Sequence, residues 1–375
     1  MKGFYFDTLL DAENICNLDR ERALLLKGID RGKKLVVYGP RNFGKTSLVK
    51  NVVIPDFRKK KKGAFVLFAD LMEVKDLDAI HHRIGLSFQT SFAESFPGRN
   101  LLETARRFLK GLRPEISIDP LTSQPTLTIA ADPSSNRLTL SKIFDVIKKE
   151  IAGTVPVLIV LDEFQDIAFV PEAQGLFRQA FQELQGVPMV LMGSKRHILS
   201  RMFSVPKAPL ASFGEDIEFH PIPYEEYHAY ILERLQQRRL TIDLEVATVL
   251  QDALFRIPEA INIVCDFLHA NLEKQALGRQ EVFDAIGKVV ASRRSRYEEL
   301  LALLTLKEEA VLVAVAKAGV VRQPTGREFL RTVPVSQGAV KKILDHFLDK
   351  SIIDRSEAGY RINDPLFHYF LRRYR

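Results

Sequence analysis

The chain has 375 residues, enough for two or three domains. A hydrophobic fraction of 46% beside 27% charged residues excludes a disordered or fibrous chain, and two cysteines, Cys16 and Cys265, exclude a disulfide framework or a cysteine-built metal centre. A net charge of +7 permits contact with nucleic acid without requiring it, and with no membrane-length apolar run and no apolar signal segment the expectation is a cytoplasmic protein.

Residues 17–30 begin polar and continue as an apolar-periodic helix, and residues 34–38 read as a short buried strand. The next eight residues, Gly39-Pro40-Arg41-Asn42-Phe43-Gly44-Lys45-Thr46, have the spacing G-x-x-x-x-G-K-[ST], and Ser47 opens a helix behind them. Consecutive backbone N–H groups in such a loop curl around a phosphate, and the helix N-terminus adds partial positive charge. Gly39 and Gly44 allow backbone paths that a Cβ would block. Lys45 is placed to reach the β- and γ-phosphates, and the Thr46 hydroxyl to sit on Mg²⁺. The plainer alternative is a glycine-rich turn with a solvated lysine; the strand before and the helix after argue against it.

A basic run, Arg58-Lys59-Lys60-Lys61-Lys62, falls in the connection to a strand at 64–70 and reads first as a solvated segment and second as a patch for a phosphate backbone or an acidic partner. A long insert follows at about 77–137. It is helical over 77–112 with a break at Pro97-Gly98, and then alternates at 115–119 and 126–129 in the manner of a β-hairpin joined through Pro120, Ser123 and Pro125. A helix at 138–151 leads to Pro156-Val157-Leu158-Ile159-Val160-Leu161, an apolar run whose two faces both need cover, as in the middle of a parallel sheet. The run ends in Asp162-Glu163, at the strand end where open α/β sheets bind ligands. Asp162 can hold Mg²⁺ and Glu163 can take a proton from an attacking water; taken alone, the pair is equally an acidic helix cap. Another buried strand at 187–192 ends in Gly193-Ser194, and 216–219 reads as the last core strand.

From 224 to 286 the pattern is helical without a strand signal. The last part runs helix (307–317), short helix (326–331), a longer helix beginning after a Ser336 cap (337–348), and two strands around 356–359, which is the order of a winged helix. The third helix can enter a DNA groove with Gln337, Lys341 and Lys342, although Asp345 and Asp349 oppose that charge, so a protein-packing domain is an equal reading.

The two acid and phosphate-loop elements resemble the Walker A and Walker B motifs of P-loop NTPases, and Glu163 directly after Asp162 resembles the AAA+ and STAND branch. The string Y-G-P-R-x-x-G-K-T-S-L at 38–48, L-D-E-F-Q at 161–165 and the ending I-x-D-P-x-F at 362–367 resemble the prokaryotic archaeal-type (MNS-like) STAND ATPases. The resemblance implies a three-layer αβα core with a parallel sheet over residues 1–223, an additional strand between the two motif strands, a helical lid over 224–290 and a winged helix over 291–375. It also implies ATP as the nucleotide, with Mg²⁺; the N-K-x-D tetrapeptide that reads guanine is missing from the chain. Ser194 resembles sensor 1, with a plain strand-exit turn an equal reading; Arg20 and Glu21 resemble the motif that packs near the adenine, with a plain helix opening as the alternative; and Arg256 and Pro258 occupy the place of the G-x-P segment, whose glycine is missing. Pro258 is equally a proline in a helix first turn. The arginine that such families place before the last core strand is absent from 209–214, and Arg201 is a poor substitute.

Three functions fit these expectations: an ATP-hydrolysing switch that moves the winged helix, a DNA-binding initiator or loader, and a non-hydrolysing scaffold for protein partners or self-association.

Overall fold

The strands of the first unit are β1 (Lys34–Tyr38), β2 (Phe65–Asp70), β3 (Arg113–Ile118), β4 (Pro125–Ala130), β5 (Val157–Asp162), β6 (Met189–Gly193) and β7 (Glu215–Glu218). The computed structural model describes residues 3–96, 105, 107, 113–118, 125–130, 139–356 and 358–375. Strands β5 and β6 are buried along their whole length, as their unbroken apolar sequences require. The parallel sheet has the order β2-β5-β6-β1-β7, so β6 lies between the strands that carry the two motifs. The antiparallel β3–β4 pair is the expected hairpin, in a register that opposes Arg113 to Ala130 and Ile118 to Pro125. The expected helix break at Pro97-Gly98, the hairpin connection at Pro120 and Ser123, and the start of the next helix at Leu138 lie outside the described residues.

One face of the sheet is closed by phenylalanine. Val36, Phe65, Leu67, Ile159, Leu161, Met189 and Leu191 face a single core that includes Phe88, Phe92, Phe144, Phe177, Phe181 and Phe203. These rings come from the helices Leu77–Ser95, Leu140–Val146, Ala173–Glu183 and Arg196–Ser204. The Leu77–Ser95 helix starts where Asp76 accepts a hydrogen bond from the Ala79 N–H at 2.7 Å. The opposite sheet face, with Leu35, Val37, Leu158, Val160 and Val190, is buried as well. The helix Asp19–Asp30 packs beside β1. A continuous helix follows the phosphate loop as Lys45–Leu48, a π segment Val49–Val53, and Ile54–Lys60.

The chain's contacts divide it into Leu18–His220 and a second unit made of Pro221–Arg375 with Met1–Asn17. The first seventeen residues, expected with the phosphate-loop core, thus pack with the later helices. Arg234 is one reason, beside the Tyr230 hydroxyl on the Asn14 carbonyl and the Asn262 amide on the Tyr5 carbonyl. Arg234 is 1% exposed in the helix Tyr224–Leu235 and lies over the Tyr230 ring at 3.5 Å. Its guanidinium donates to the Gly3 carbonyl (3.1 Å), the Glu13 carbonyl (3.3 Å) and Asn14 Oδ1 (3.3 Å). A buried charge needs such partners, and the N-terminal backbone supplies them. The helices Leu244–Ala253, Pro258–Asn271 and Arg279–Ser292 complete this region. It also holds two strands not expected from the sequence, β8 (Thr241–Ile242) and β9 (Ala276–Leu277), parallel and two residues each, too short to show a period.

The winged-helix order is present in the same unit: helices Leu306–Ala318, Arg327–Leu330 and Gln337–Asp349, the antiparallel β10 (Ile353–Ser356) and β11 (Gly359–Ile362), and the final helix Pro365–Tyr374. Ser336 stands at the N-cap of the third helix, but its side chain makes no capping bond there. Asp364 caps the last helix through Oδ1, which accepts from the Leu366 N–H (2.8 Å) and the Phe367 N–H (3.2 Å), while Oδ2 accepts from the Tyr297 hydroxyl at 3.4 Å. Loss of such a cap costs about 1–2 kcal/mol. Asp364→Ala should therefore lower the free energy of unfolding by about that amount in urea denaturation; an unchanged midpoint would contradict the cap.

Candidate nucleotide-binding site

Register brings the candidate residues to one edge. Tyr38 of β1 pairs with Gly193 of β6, and Leu161 of β5 pairs with Leu191 of β6. Gly39, Asp162 and Ser194 therefore all leave the sheet at its C-terminal end, where ligands of parallel sheets bind. Gly39 is buried, and a Cβ there would stand 2.7 Å from Phe219 Cβ, so the loop can turn against β7's exit only with glycine. Gly44 holds the left-handed conformation at φ 80°, and Asn42 does so at φ 63°. Phe43 is buried and anchors the loop; Arg41 and Asn42 are exposed, Pro40 is half-buried, and Ser47 is buried in the first helical turn.

Lys45 is 6% exposed, and its ammonium donates to the carbonyl oxygens of Gly39 (2.9 Å) and Pro40 (2.8 Å). Burial lowers its pKa to about 8, against the raising influence of the nearby Glu163 and Asp162 carboxylates. The Thr46 hydroxyl donates to Asp162 Oδ2 at 2.7 Å. Burial raises the Asp162 carboxyl above its ordinary range, the Thr46 bond opposes this, and the neighbouring Glu163 and Asp70 add to it. Asp70 is Asp162's register partner across β2 and β5.

Glu163 takes the left-handed conformation at φ 48° and ψ 37°. The next residue, Phe164, is fully buried against Phe177 at 5.2 Å between ring centroids. Burying such a ring gains roughly 1.5–3 kcal/mol, more than the roughly 1–2 kcal/mol that left-handed backbone costs. The turn is thus held by its neighbour. The Glu163 carboxylate accepts from the Ser194 hydroxyl (3.1 Å) and from the Gln165 amide (2.6 Å). Gln165 is fully buried and also touches Asp166 and the Ser194 backbone. Asp166 in turn accepts from the Glu73 N–H (2.8 Å) and pairs with Lys195 (3.6 Å). Glu163 and Ser194 stand out in the sequence by their places at strand ends, whereas Gln165 enters only within the L-D-E-F-Q string and Asp166 and Lys195 not at all. A polar residue in the apolar turn after an acid pair was the available signal.

The residues present suit a nucleotide with a hard cation. Lys45 is a buried cation turned onto carbonyl oxygens, and Thr46 with Asp162 offers the oxygen donors that Mg²⁺ prefers. Among the described residues, no group of three or more His, Cys, Asp or Glu could hold a metal by itself.

The remaining candidates are carried by other elements. Arg20 and Glu21 begin the helix Asp19–Asp30, with Glu21 buried. Arg201 is exposed on Arg196–Ser204. Arg256 and Pro258 belong to the second unit. The Arg256 guanidinium lies over the Tyr224 ring at 3.9 Å and donates to the Ile222 carbonyl. Pro258 is the first residue of the helix Pro258–Asn271, and its carbonyl accepts from the Tyr227 hydroxyl at 3.1 Å. Phe255, beside Arg256, meets the His368 ring at 5.0 Å and the Arg361 guanidinium at 5.3 Å. Gln337, Lys341 and Lys342 are exposed on the third helix of the winged helix.

Known proteins fit this picture. A family described as a probable winged helix domain matches residues 295–373. The chain is similar in structure to the Walker-type ATPase of Pyrococcus abyssi, with a TM-score of 0.64, 15% identity, and coverage of 98% of this chain and 99% of that one. It is also similar to the Aeropyrum pernix ORC1 protein solved in complex with DNA (TM-score 0.52, 14% identity, 98% and 94% covered). The ORC2 protein of the same organism, solved as ADPNP–ADP complexes, has a TM-score of 0.52 at 15% identity, with 98% and 94% covered. The curated proteins contain no match. The chain has the fold of P-loop ATPases, with a C-terminal winged helix. Among the described residues, no helix is long and apolar enough to cross a membrane.

The depressed Lys45 has a measurable consequence. A triphosphate beside the ammonium favours its charged form, so the bound state holds the proton to higher pH than the free protein, whose Lys45 titrates at about 8. Below that pH both states are protonated and affinity is flat; above it, binding must take up a proton, and affinity falls by up to about tenfold per pH unit. Calorimetry of ATP binding in buffers of different ionisation enthalpy should show proton uptake approaching about one at about pH 9 and near zero at about pH 6.5. Equal uptake at both would contradict the buried, depressed lysine.

Proposed function

We propose that this chain is an ATP-binding and ATP-hydrolysing molecular switch of the STAND/AAA+ type, with slow turnover and with its nucleotide state coupled to the C-terminal winged helix. The observation that carries the reading is the Thr46–Asp162 hydrogen bond beside the buried Lys45. In this reading the backbone from Gly39 to Ser47 cradles the phosphates, and Lys45 moves from the loop carbonyls to the β- and γ-phosphates. Thr46 and Asp162 hold Mg²⁺, which when bound neutralises charge on the phosphate oxygens. Glu163 accepts a proton from the attacking water, and Ser194 reads the γ-phosphate.

A switch needs contacts that differ between nucleotide states. Arg256 and Pro258 are the proposed nucleotide contacts from the second unit. What supports a link to the winged helix is local: Phe255 packs on His368 and Arg361, so a displacement of the Arg256 segment disturbs the final helix and β11 directly. The membership in the archaeal-type (MNS-like) STAND group, the domain limits 1–223, 224–290 and 291–375, and a cytoplasmic setting belong to this same proposal.

Glu163→Gln should lose at least about 100-fold in turnover while ATP affinity stays within about threefold of wild type. Wild-type protein without turnover under any condition would instead favour the scaffold reading.

A second reading, a DNA-binding initiator or loader, is favoured by one observation: the exposure of Gln337, Lys341 and Lys342 on the third helix of the winged helix. Duplex affinity should then rise as salt falls, with a log–log slope of about −0.9 per phosphate contacted, and Lys341→Ala or Lys342→Ala should each reduce the slope by about one contact. Absence of binding at low salt, measured by fluorescence anisotropy, would remove this reading.

A further inference from the structure

Gln165 is a polar side chain with no access to solvent, placed in the turn Phe164–Phe169 beside Phe164 and Ile167, both fully buried. An amide in such a place is costly unless its donors and acceptor are matched. Here they are matched by the groups of the candidate site. Nε2 donates to Glu163 Oε2 at 2.6 Å and to Asp166 Oδ1 at 3.1 Å, and Oε1 accepts from the Ser194 N–H at 3.2 Å. The orientation of the amide follows from its partners. Reversed, its oxygen would face two carboxylates and its NH₂ would face an N–H, so every contact would be repulsive. The neighbouring strand is shaped to receive it: a Cβ on Gly193 would stand 2.0 Å from Gln165 Oε1.

We infer that Gln165 is a positioning residue for ATP hydrolysis: its buried amide ties the Glu163 carboxylate to the end of β6, so that the proton acceptor and the Ser194 hydroxyl keep one fixed geometry. The inference rests on the hydrolytic reading given above and adds to it the group that holds the base in place. Glu163 is half-exposed on a strained turn, and a carboxylate there has several rotamers. Ser194 alone offers a single hydroxyl, which can itself rotate. Gln165 offers a donor that cannot swing, because its other two hydrogen bonds go to Asp166 and to backbone. Asp166 is fixed in turn by the Glu73 N–H and Lys195. The ends of β2, β5 and β6 are thereby joined through one amide. Gln165 itself need not touch nucleotide or water for this role.

The test uses the full-length protein. Gln165→Met keeps length and volume but removes both donors and the acceptor. Gln165→Asn keeps the amide one methylene short of Glu163 and serves if the methionine variant does not fold, as judged by thermal melting and ATP binding. Either variant should lower kcat by about 10- to 100-fold while ATP affinity and KM stay within about threefold. In the Glu163→Gln background the same substitution should produce no additional loss of the residual single-turnover rate, because its effect passes through Glu163. A kcat within about threefold of wild type would overturn the inference, as would an equal loss in the Glu163→Gln background, which marks a general structural effect. Wild-type protein that never hydrolyses ATP removes the hydrolytic reading and this inference together. Wild-type turnover that survives Gln165→Met removes the inference alone.

Discussion

Strands β1 and β5 do not touch, since β6 lies between them. Yet the helix after β1 and the last residue of β5 meet in a hydrogen bond, Thr46 to Asp162, at 2.7 Å. That bond spans the width of an intervening strand, roughly 5 Å on either side. It forms only because the phosphate loop folds back over the sheet edge. The loop does so because Gly39 passes close to Phe219 and Gly44 takes a left-handed turn. The whole candidate site depends on this closure, and the closure depends on two residues without side chains.

The electrostatics of the site follow from the same closure. Burial works against charge on both Lys45 and Asp162, pushing the first down and the second up. The Glu163 and Asp162 carboxylates compensate in part at Lys45, and the Thr46 hydroxyl and the Glu163 N–H compensate in part at Asp162. Groups held in this balance favour a ligand that carries negative charge to the lysine and a cation to the aspartate. A phosphate–metal pair has that complementarity, whereas a neutral ligand would bring neither charge.

The second unit is organised by a different constraint. Arg234 is buried as a cation, and the N-terminal segment meets its need through Gly3, Glu13 and Asn14. A residue more than 200 positions away in sequence thus helps to determine where the chain's beginning packs. Within this unit Phe255 ties the segment that carries Arg256 to His368 and Arg361. The helical region and the winged helix therefore share side chains as well as a boundary.

Much of this was legible from residue order. The phosphate loop, the acid pair, the buried strands β5 and β6 and the helix–helix–helix–hairpin order of the C-terminal part all rest on patterns within about twenty residues, and local spacing is what a sequence displays. Strand order between the motifs came from resemblance, since pairing of distant strands leaves no local mark. The two-residue strands β8 and β9 were too short for any period, and Ser336 had the type and place of a cap without making its bond. The proposed phosphate roles of Lys45 and Thr46, and the proposed acid roles of Asp162 and Glu163, are thus read from the sequence itself, because loop spacing and strand ends are local. Tertiary structure alone decided that Gln165 faces Glu163 and Ser194, and that residues 1–17 join the later helices. Those facts depend on which buried polar groups find partners across long separations, and only the folded chain brings such groups together.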